Sequence, residues 1–515
     1  MQLVLLLSVF LIAVSGLVYE LLAGTISSYL VGDSVYQFSI VTGLFMTSMG
    51  IGSFLSRYIS DKLHDWFVFV ETMTGVAGGL SSIVLFLAFA HLENYTPVLF
   101  IVSIVVGTFI GLELPIVLRI IKEQSELKIA VSNVMTADYI AALFASLLFP
   151  LVLVPNLGLI RTSLLFGIIN LIVAYAVMRF FKERIVEKSK LTAFILSGFI
   201  LLGSGFVFAN KISYYSEDVL YKDDIIYSAQ SPYQRVVVTK GKDDVRMYIN
   251  GSIQFSSLDE YRYHESLVFP PMIAAANRKN ILIIGGGDGM AAREVFKFKD
   301  VERVVMVDID PAITDFGKNN PVMRALNCDS MRNSKLVIVN NDAWKYLETT
   351  KETYDVIIVD LPDPDDLTLS RLYSKTFYRL LAHKLSIGGK IVTQATSPVY
   401  STKAFWCIYN TMKAVENPMK VSDPSNEQGD LNMYAEAYHA YVPSFGEWGF
   451  VMGSNTPIDW KKIKVDKNEK FISNESLSMM NVFPPDINYV ETNINTIDTH
   501  VVKTYYDEGW NKWSI

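Results

Sequence analysis

Up to about residue 210 the chain is a succession of apolar runs, each long enough to cross a bilayer core, which takes about 20 helical residues. Such runs survive in lipid only as helices that satisfy their own backbone hydrogen bonds. Seven stretches, 3–24, 38–59, 66–90, 97–118, 133–154, 160–180 and 191–209, read as spans of a helical membrane domain over 1–210. The first has no basic flank and no small-residue cleavage site, so it reads as a span and not as a cleaved leader. Beyond Lys211 the composition turns charged and Tyr-rich, which marks the main domain boundary.

Basic residues mark alternate loops: Arg57 and Lys62, then Arg119, Lys122 and Lys128, then Arg179, Lys182, Arg184, Lys188 and Lys190. The opposite loops hold almost only Arg161. The positive-inside rule makes the basic loops cytoplasmic and, after seven spans, puts the C-terminal half outside. Glu20, Glu71, Glu113 and Asp138 lie within or at the edge of spans, and Asp33 follows the first. Carboxylates there are costly; they imply either a site for an ion or polyamine, or interhelical hydrogen bonding.

The formal charge of -7 argues against a nucleic-acid partner and suits a cationic ligand. Cys328 and Cys407 stand far apart, which excludes a disulfide framework and a thiolate zinc site; no metal is expected.

From Tyr227 to about Pro270 residues alternate in the β manner, with Asn250-Gly251 as a hairpin turn, so a small β domain is expected over 211–275. Strand-like runs follow at 281–284, 304–307, 336–339, 356–360 and 390–394, separated by stretches of helical length. This alternation predicts a doubly wound, methyltransferase-like (Rossmann-like) parallel sheet over 276–455, with ligands at the carboxyl ends of its strands and a C-terminal extension over 456–515.

The first of these strands enters a Gly-rich turn, Gly285, Gly286, Gly287, Asp288 and Gly289, suited to close approach of a nucleotide. The second ends in Asp308 and Asp310, where an acid can accept ribose hydroxyls; the third in Asn341-Asp342; the fourth in Asp360 and Asp363. Helix capping can explain any one of these carboxylates alone. Asp288 would repel a pyrophosphate but attract a ligand bearing an ammonium, which favours decarboxylated S-adenosylmethionine over its carboxylate-bearing parent.

In the order and spacing of Tyr233-Gln234, 250–254, Asp259 to Glu265, the Gly-rich turn, Asp308 to Asp310, Asp342-Ala343 and Asp360 to Pro364, the region 227–454 resembles the spermidine synthase family. Gly16 to Glu20 and Gly111 to Pro115 resemble its membrane-fused branch. The resemblance implies aminopropyl transfer from decarboxylated S-adenosylmethionine to a diamine, putrescine foremost, with release of methylthioadenosine. It implies that Gln234, Gln254, Gly285, Gly287, Asp288, Asp308 and Asp342 bind the co-substrate, that Asp360 and Tyr263 are catalytic, and that Asp363, Tyr263 and His264 face the amine. It also implies a homo-oligomer, a dimer, whose other partners are the diamine and the lipid bilayer. Met290, His264 and Phe445 depart from the family pattern, Phe445 replacing a Tyr that binds the amine. Two other readings stay open: a methyltransferase on the same fold, and a membrane polyamine transporter or sensor with a ligand-binding domain. A multi-pass protein of the cell membrane is expected, its catalytic domain in the cytoplasm, where the nucleoside is made. The Gly-containing run 191–209, re-entrant or interfacial, would reconcile this with the loop charges.

Overall fold

The computed structural model describes residues 2–31, 34–92, 94–122, 126–221, 223–421 and 431–513, so Asp33 lies outside the described residues. The chain forms two compact units, Met1–Asp224 and Ile225–Ile515.

The first unit contains helices α1 (Gln2–Val31), α2 (Ser34–Leu55), α3 (Leu63–His91), α4 (Thr96–Lys122), α5 (Leu127–Leu148), α6 (Val154–Phe180) and α7 (Lys188–Leu220). Six stretches are long and apolar enough to cross a membrane, and the fifth, Lys128–Phe180, runs for 53 residues. It contains both predicted segments 133–154 and 160–180, because α5 continues through a π-helical turn, Phe149–Leu153, straight into α6. Pro150 and Pro155 lack the amide proton that a regular helix needs there, and Gly158 breaks the helix with φ 73° and ψ 175°. Straight, 53 residues would extend ~80 Å at ~1.5 Å per residue, over twice a bilayer core, so the break is what folds the stretch back to a usable length. α7 is a single helix that continues past the predicted 191–209 to Leu220, and it has no break of the kind a re-entrant segment requires.

Small residues let these helices approach closely. A Cβ on Gly111 of α4 would lie 2.1 Å from the Met49 carbonyl oxygen of α2. Loop groups are bonded as firmly: Asp65 accepts from the Val186 and Glu187 amides at 3.1 and 2.8 Å. Arg119 donates to the Ser56 and Ile59 carbonyls at 2.8 and 2.6 Å.

The second unit opens with a four-stranded sheet, β1 (Asp224–Gln230), β2 (Arg235–Lys240), β3 (Val245–Ile249) and β4 (Ser252–Ser256), in that order, with β2, β3 and β4 pairing antiparallel. Asn250 and Gly251 both have left-handed φ, 48° and 84°, as the predicted two-residue turn demands. The β region is shorter than the sequence alternation implies, since Glu260–Ala274 is a helix, α8. Most of its side chains are buried around the whole circumference, which removes the amphipathic period that would have marked it.

A seven-stranded sheet follows: β5 (Asn280–Gly285), β6 (Arg303–Asp308), β7 (Leu336–Asn340), β8 (Tyr354–Asp360), β9 (Leu385–Gln394), β10 (Tyr434–Val442) and β11 (Gly446–Ser454). Its order is β10-β11-β9-β8-β5-β6-β7. The five predicted strands are the parallel ones, and a β10–β11 hairpin adds two antiparallel strands beside β9. Chain order reverses between β5 and β8, where a doubly wound sheet opens a crevice at its carboxyl edge.

The segment after Ser454 belongs to both faces of this sheet. Trp460, Ile472, Leu477 and Met480 enter the core on one side, and Val502 enters the core on the other. Trp406 donates to the Ile487 carbonyl at 3.0 Å, and the Glu265 carboxylate accepts the amides of Lys470, Phe471 and Ile472. Losing a buried Trp, Ile or Leu typically costs about 2–5 kcal/mol, so the set rivals the roughly 5–15 kcal/mol stability of a domain. Truncation after Ser454 is therefore expected to give protein that is degraded or melts without a cooperative transition. A truncated chain with wild-type abundance and melting temperature would show the tail to be dispensable.

Candidate active site

The carboxyl ends of β5, β6 and β8 bring together most of the predicted site. The turn after β5 holds Gly285, Gly286 and Gly289 at φ 78°, 65° and 84°, values that favour glycine. Gly287 approaches β6 so closely that its amide donates to Asp308 Oδ2 at 3.1 Å, and a Cβ there would lie 2.6 Å from that oxygen. The Asp310 amide donates to the other Asp308 oxygen at 2.9 Å. Burial pushes the Asp308 carboxyl up to about 6 against these two bonds, and the neighbouring charges of Asp310 and Asp288 add to the rise.

Asp288 is buried, and its Oδ1 accepts from the Met290 amide at 2.9 Å, opening helix α9 (Met290–Val295). Asp310 and Asp342 likewise cap the helices that follow them. Capping and a place at the ligand edge are thus compatible roles for the same carboxylates.

Asp360 ends β8 directly beside Gly285. Tyr263, from α8, donates its hydroxyl to Asp360 Oδ1 at 2.7 Å. Burial raises Asp360 to about 6; nearby His264 and the Tyr263 bond pull it down, while Asp288 pushes it further up. Asp363 accepts from Gln394 Nε2 at 3.1 Å and from Thr396 Oγ1 at 3.2 Å, and burial raises it to about 6. Asp365 stands at about 7, through burial first and then the charges of Asp366 and Asp363.

Behind this acidic edge lies one basic group of partners. His264 Nδ1 is 2.8 Å from Glu260 Oε2, and Arg293 donates to both Glu260 oxygens at 3.0 and 2.8 Å. Burial alone would lower His264, but Glu260, with Asp288 and Asp360 beyond it, raises it to about 9. Burial likewise opposes ionisation of Glu260, which His264 and Arg293 nevertheless lower to about 2.

Three predicted residues stand apart from this centre. Gln234 donates to Asp310 Oδ2 at 2.9 Å and so reaches the β6 edge through that carboxylate. Gln254 bonds the Ser252 carbonyl of its own strand at 3.2 Å. Asp342, at the end of β7, is paired with Arg371 at 2.7 Å; burial would raise it, but Arg371 and the capped amides hold it below its ordinary value. Sequence reasoning missed Glu260, Arg293, Gln394, Thr396 and Tyr506, the last hydrogen-bonded to Asp363 from the C-terminal helix Val501–Trp510. Gln394 carried a signal as the last residue of a predicted strand, and Glu260 as part of the Asp259 to Glu265 motif. Phe445 packs edge-on against Tyr263, ring centres 6.1 Å apart, so this departure from the family pattern borders the Tyr263–Asp360 pair.

The result is an edge rich in carboxyl groups, with a tyrosine–carboxylate pair able to take up a proton beside a loop of accessible backbone. The family described as Spermine/spermidine synthase domain matches residues 260–424. The polyamine aminopropyltransferase of Leptospira interrogans is 41% identical, with 99% of each chain covered. Polyamine aminopropyltransferase 2 of Ralstonia nicotianae is 39% identical, with 98% of each covered. A solved spermidine synthase in complex with the transition state analogue AdoDATO is 25% identical, with a TM-score of 0.43, over 51% of this chain and 85% of that one.

The His264–Glu260 pair makes stability depend on pH. With His264 raised from 6.5 to about 9, its contribution is complete below about pH 6.5 and is lost as pH rises through 9, about 3 kcal/mol in all. The stability advantage of wild type over His264→Gln should therefore shrink on going from neutral to alkaline pH in denaturation measurements. A constant difference would mean that His264 is not held charged.

Proposed function

This chain belongs to the polyamine aminopropyltransferase family, and from that premise we propose that it moves the aminopropyl group of decarboxylated S-adenosylmethionine to putrescine, giving spermidine and methylthioadenosine. The observation that carries this reading is the Tyr263–Asp360 pair beside the Gly-rich turn, with Asp288 and Asp363 close by on an acidic edge. Family membership favours aminopropyl over methyl transfer on this fold.

In this reading Asp308 takes the ribose hydroxyls, Asp288 the aminopropyl ammonium and Asp342 the adenine side, with Gly285 and Gly287 giving backbone access. Gln234 and Gln254 complete the co-substrate side. Asp363 holds the distal ammonium of the diamine, and His264 flanks the amine beside the Tyr263 ring. The lone pair of the near amine forms a C–N bond to the methylene next to the sulfonium; the C–S pair returns to sulfur as a neutral thioether. The nitrogen must first be neutral, although free amines have a pKa near ~10.4; desolvation and the adjacent sulfonium lower it. Asp360, ionised above about 6, accepts the displaced proton through its bond with Tyr263. Holding the amine at both ends supplies orientation. Phe445, without a hydroxyl, makes the amine end more apolar and bears on which amine is preferred.

The helical unit holds the enzyme in a bilayer: a membrane domain over 1–210 whose last helix runs on to Leu220, then the β1–β4 sheet and α8 up to about 275, the catalytic domain over 276–455 and its extension. The catalytic domain works in the cytoplasm, where the co-substrate is made. α7 is unbroken and packs along α3 from Phe194 against Phe69 to Tyr215 against His91, so it crosses wherever α3 does, and this placement rests on the source of the co-substrate against the loop charges.

Asp360→Asn should collapse kcat for methylthioadenosine release with little change in co-substrate affinity, whereas Asp288→Asn should weaken decarboxylated S-adenosylmethionine by roughly 1.5–3 kcal/mol and spare methylthioadenosine. Assays of product formation against putrescine with calorimetric binding check both. Unchanged turnover in the first variant, or equal weakening of both ligands in the second, would remove these roles. For the orientation, Lys242→Cys in a Cys-free background should resist an impermeant maleimide on intact cells and react after permeabilisation. Labelling of intact cells overturns the cytoplasmic placement.

A further inference from the structure

Among the described residues of the helical unit, two carboxyl groups have no cation beside them. Glu71 of α3 and Glu113 of α4 are fully buried and lie within hydrogen-bonding reach of each other. Among the described residues, no donor other than the facing carboxyl reaches the Glu71 oxygens or Glu113 Oε2, and no Lys, Arg or His pairs with either group. The other Glu113 oxygen accepts from Thr74 Oγ1.

A second, uncharged group points to the same place. Asn170 of α6 is fully buried; its Nδ2 donates to the Tyr19 hydroxyl of α1 at 3.5 Å, and its Oδ1 has no partner among the described residues. The Tyr19 hydroxyl in turn lies within Coulombic range of both carboxyls. Four helices therefore bring oxygen acceptors together in a dry interior, where the donors the described residues supply, Thr74, Tyr19 and Asn170 Nδ2, leave several oxygens unmet. Each unmet acceptor costs free energy, and two adjacent carboxylates in a medium of low dielectric repel strongly.

We propose that Glu71, Glu113, Asn170 and Tyr19 form a binding site for a small monovalent cation, a proton or an alkali-metal ion, within the helical unit. The hard oxygen ligands suit such a cation and no soft metal. Packing sets the size limit: a Cβ on Gly78 would lie 2.4 Å from the Tyr19 ring, and one on Gly75 would lie 2.9 Å from the Gly167 carbonyl oxygen. Glycines draw α1, α3 and α6 together at this level, and a polyamine chain does not fit between them. Glu71, Glu113 and Asn170 each lie roughly 12–15 Å along their helices from Leu63, Lys122 and Phe180, close to the middle of a ~30 Å core. That depth rests on the bilayer placement proposed above; the ligand set does not.

The groups facing the site are Tyr19 from α1, Glu71 and Thr74 from α3, Glu113 from α4 and Asn170 from α6. Glu20 is engaged elsewhere, accepting from Thr42 of α2 at 2.8 Å, and Asp138 of α5 is only half-buried. Glu20→Gln is thus a control on another carboxylate of the same unit.

The test is the melting temperature of the full-length protein in detergent, with sodium exchanged for choline at constant ionic strength, between about pH 5 and about pH 9. A rise of several degrees with sodium identifies an alkali ion; a rise with falling pH that ignores sodium identifies a proton. Either response should vanish in Glu71→Gln and Glu113→Gln and persist in Glu20→Gln. Should the variants fail to fold, an apolar carbodiimide on the wild-type protein gives the same answer: labelling of Glu71 or Glu113 should fall with added sodium or with rising pH. Absence of any response, one that survives in both variants, or labelling indifferent to sodium and pH overturns the proposal. The readout needs no bilayer, so its failure is separate from failure of the membrane placement.

Discussion

A side chain on Gly285 would put its Cβ 2.0 Å from the carbonyl oxygen of Asp360. That contact, between the last residues of two neighbouring parallel strands, is the constraint on which the rest of the catalytic unit depends. Only a residue without Cβ, free to take a left-handed φ, lets the turn leave β5 across the end of β8. Having crossed there, the turn presents the Gly287 amide to Asp308 on one side and holds Asp288 near Asp360 on the other. The sheet switch point then does the remaining work, since chain order diverges from β5 and leaves the crevice open above it.

An edge with this many carboxyl groups repels itself, and the fold meets the problem with dipoles first. Asp308 is held by two amides, Asp288 and Asp310 accept helix-starting amides, and Asp363 accepts from Gln394 and Thr396. The full charges, His264 and Arg293, are placed behind the edge and are neutralised by Glu260. In the proposed reading this leaves a cationic ligand as the main partner for Asp288, Asp360 and Asp363. Burial raises Asp360 and Asp363 to about 6, the behaviour of carboxyl groups whose charge the dry edge leaves poorly solvated.

Much of this was legible in the order of residues. Five apolar runs with small or acidic ends became the five parallel strands, because strands buried on both faces must be continuously apolar. Asn250-Gly251 made its turn because few pairs tolerate two left-handed residues. Less was legible where tertiary contact decides. α8 lost its helical period to burial on all sides, and β10 and β11 pair in a hairpin that no turn dipeptide announced. Tyr506 and Gln394 meet Asp363 from segments far apart in the chain. Gln234 bonds Asp310 and Asp342 pairs with Arg371, contacts that linear spacing does not encode and that leave their proposed ligand roles open.

The two units treat buried carboxyl groups in opposite ways, and the difference is one of donors. At the sheet edge, loops and helix starts offer free backbone amides, so Asp288, Asp308 and Asp310 can stay buried without a salt bridge of their own. A membrane-length helix has no such amides to give, because each is committed to the carbonyl four residues back. Side chains must then supply the donors, and among the described residues only the facing Glu113 carboxyl reaches Glu71. Elsewhere in the same unit the need is met locally: Thr42 serves Glu20, and the amides of Val186 and Glu187 serve Asp65 where the chain leaves the helices. A carboxyl left bare in the one place where the backbone cannot help is held there by the helix packing around it. Gly75 and Gly167 bring the backbones of α3 and α6 together and Gly78 seats the Tyr19 ring of α1, the same close packing that leaves little room beside the carboxyls.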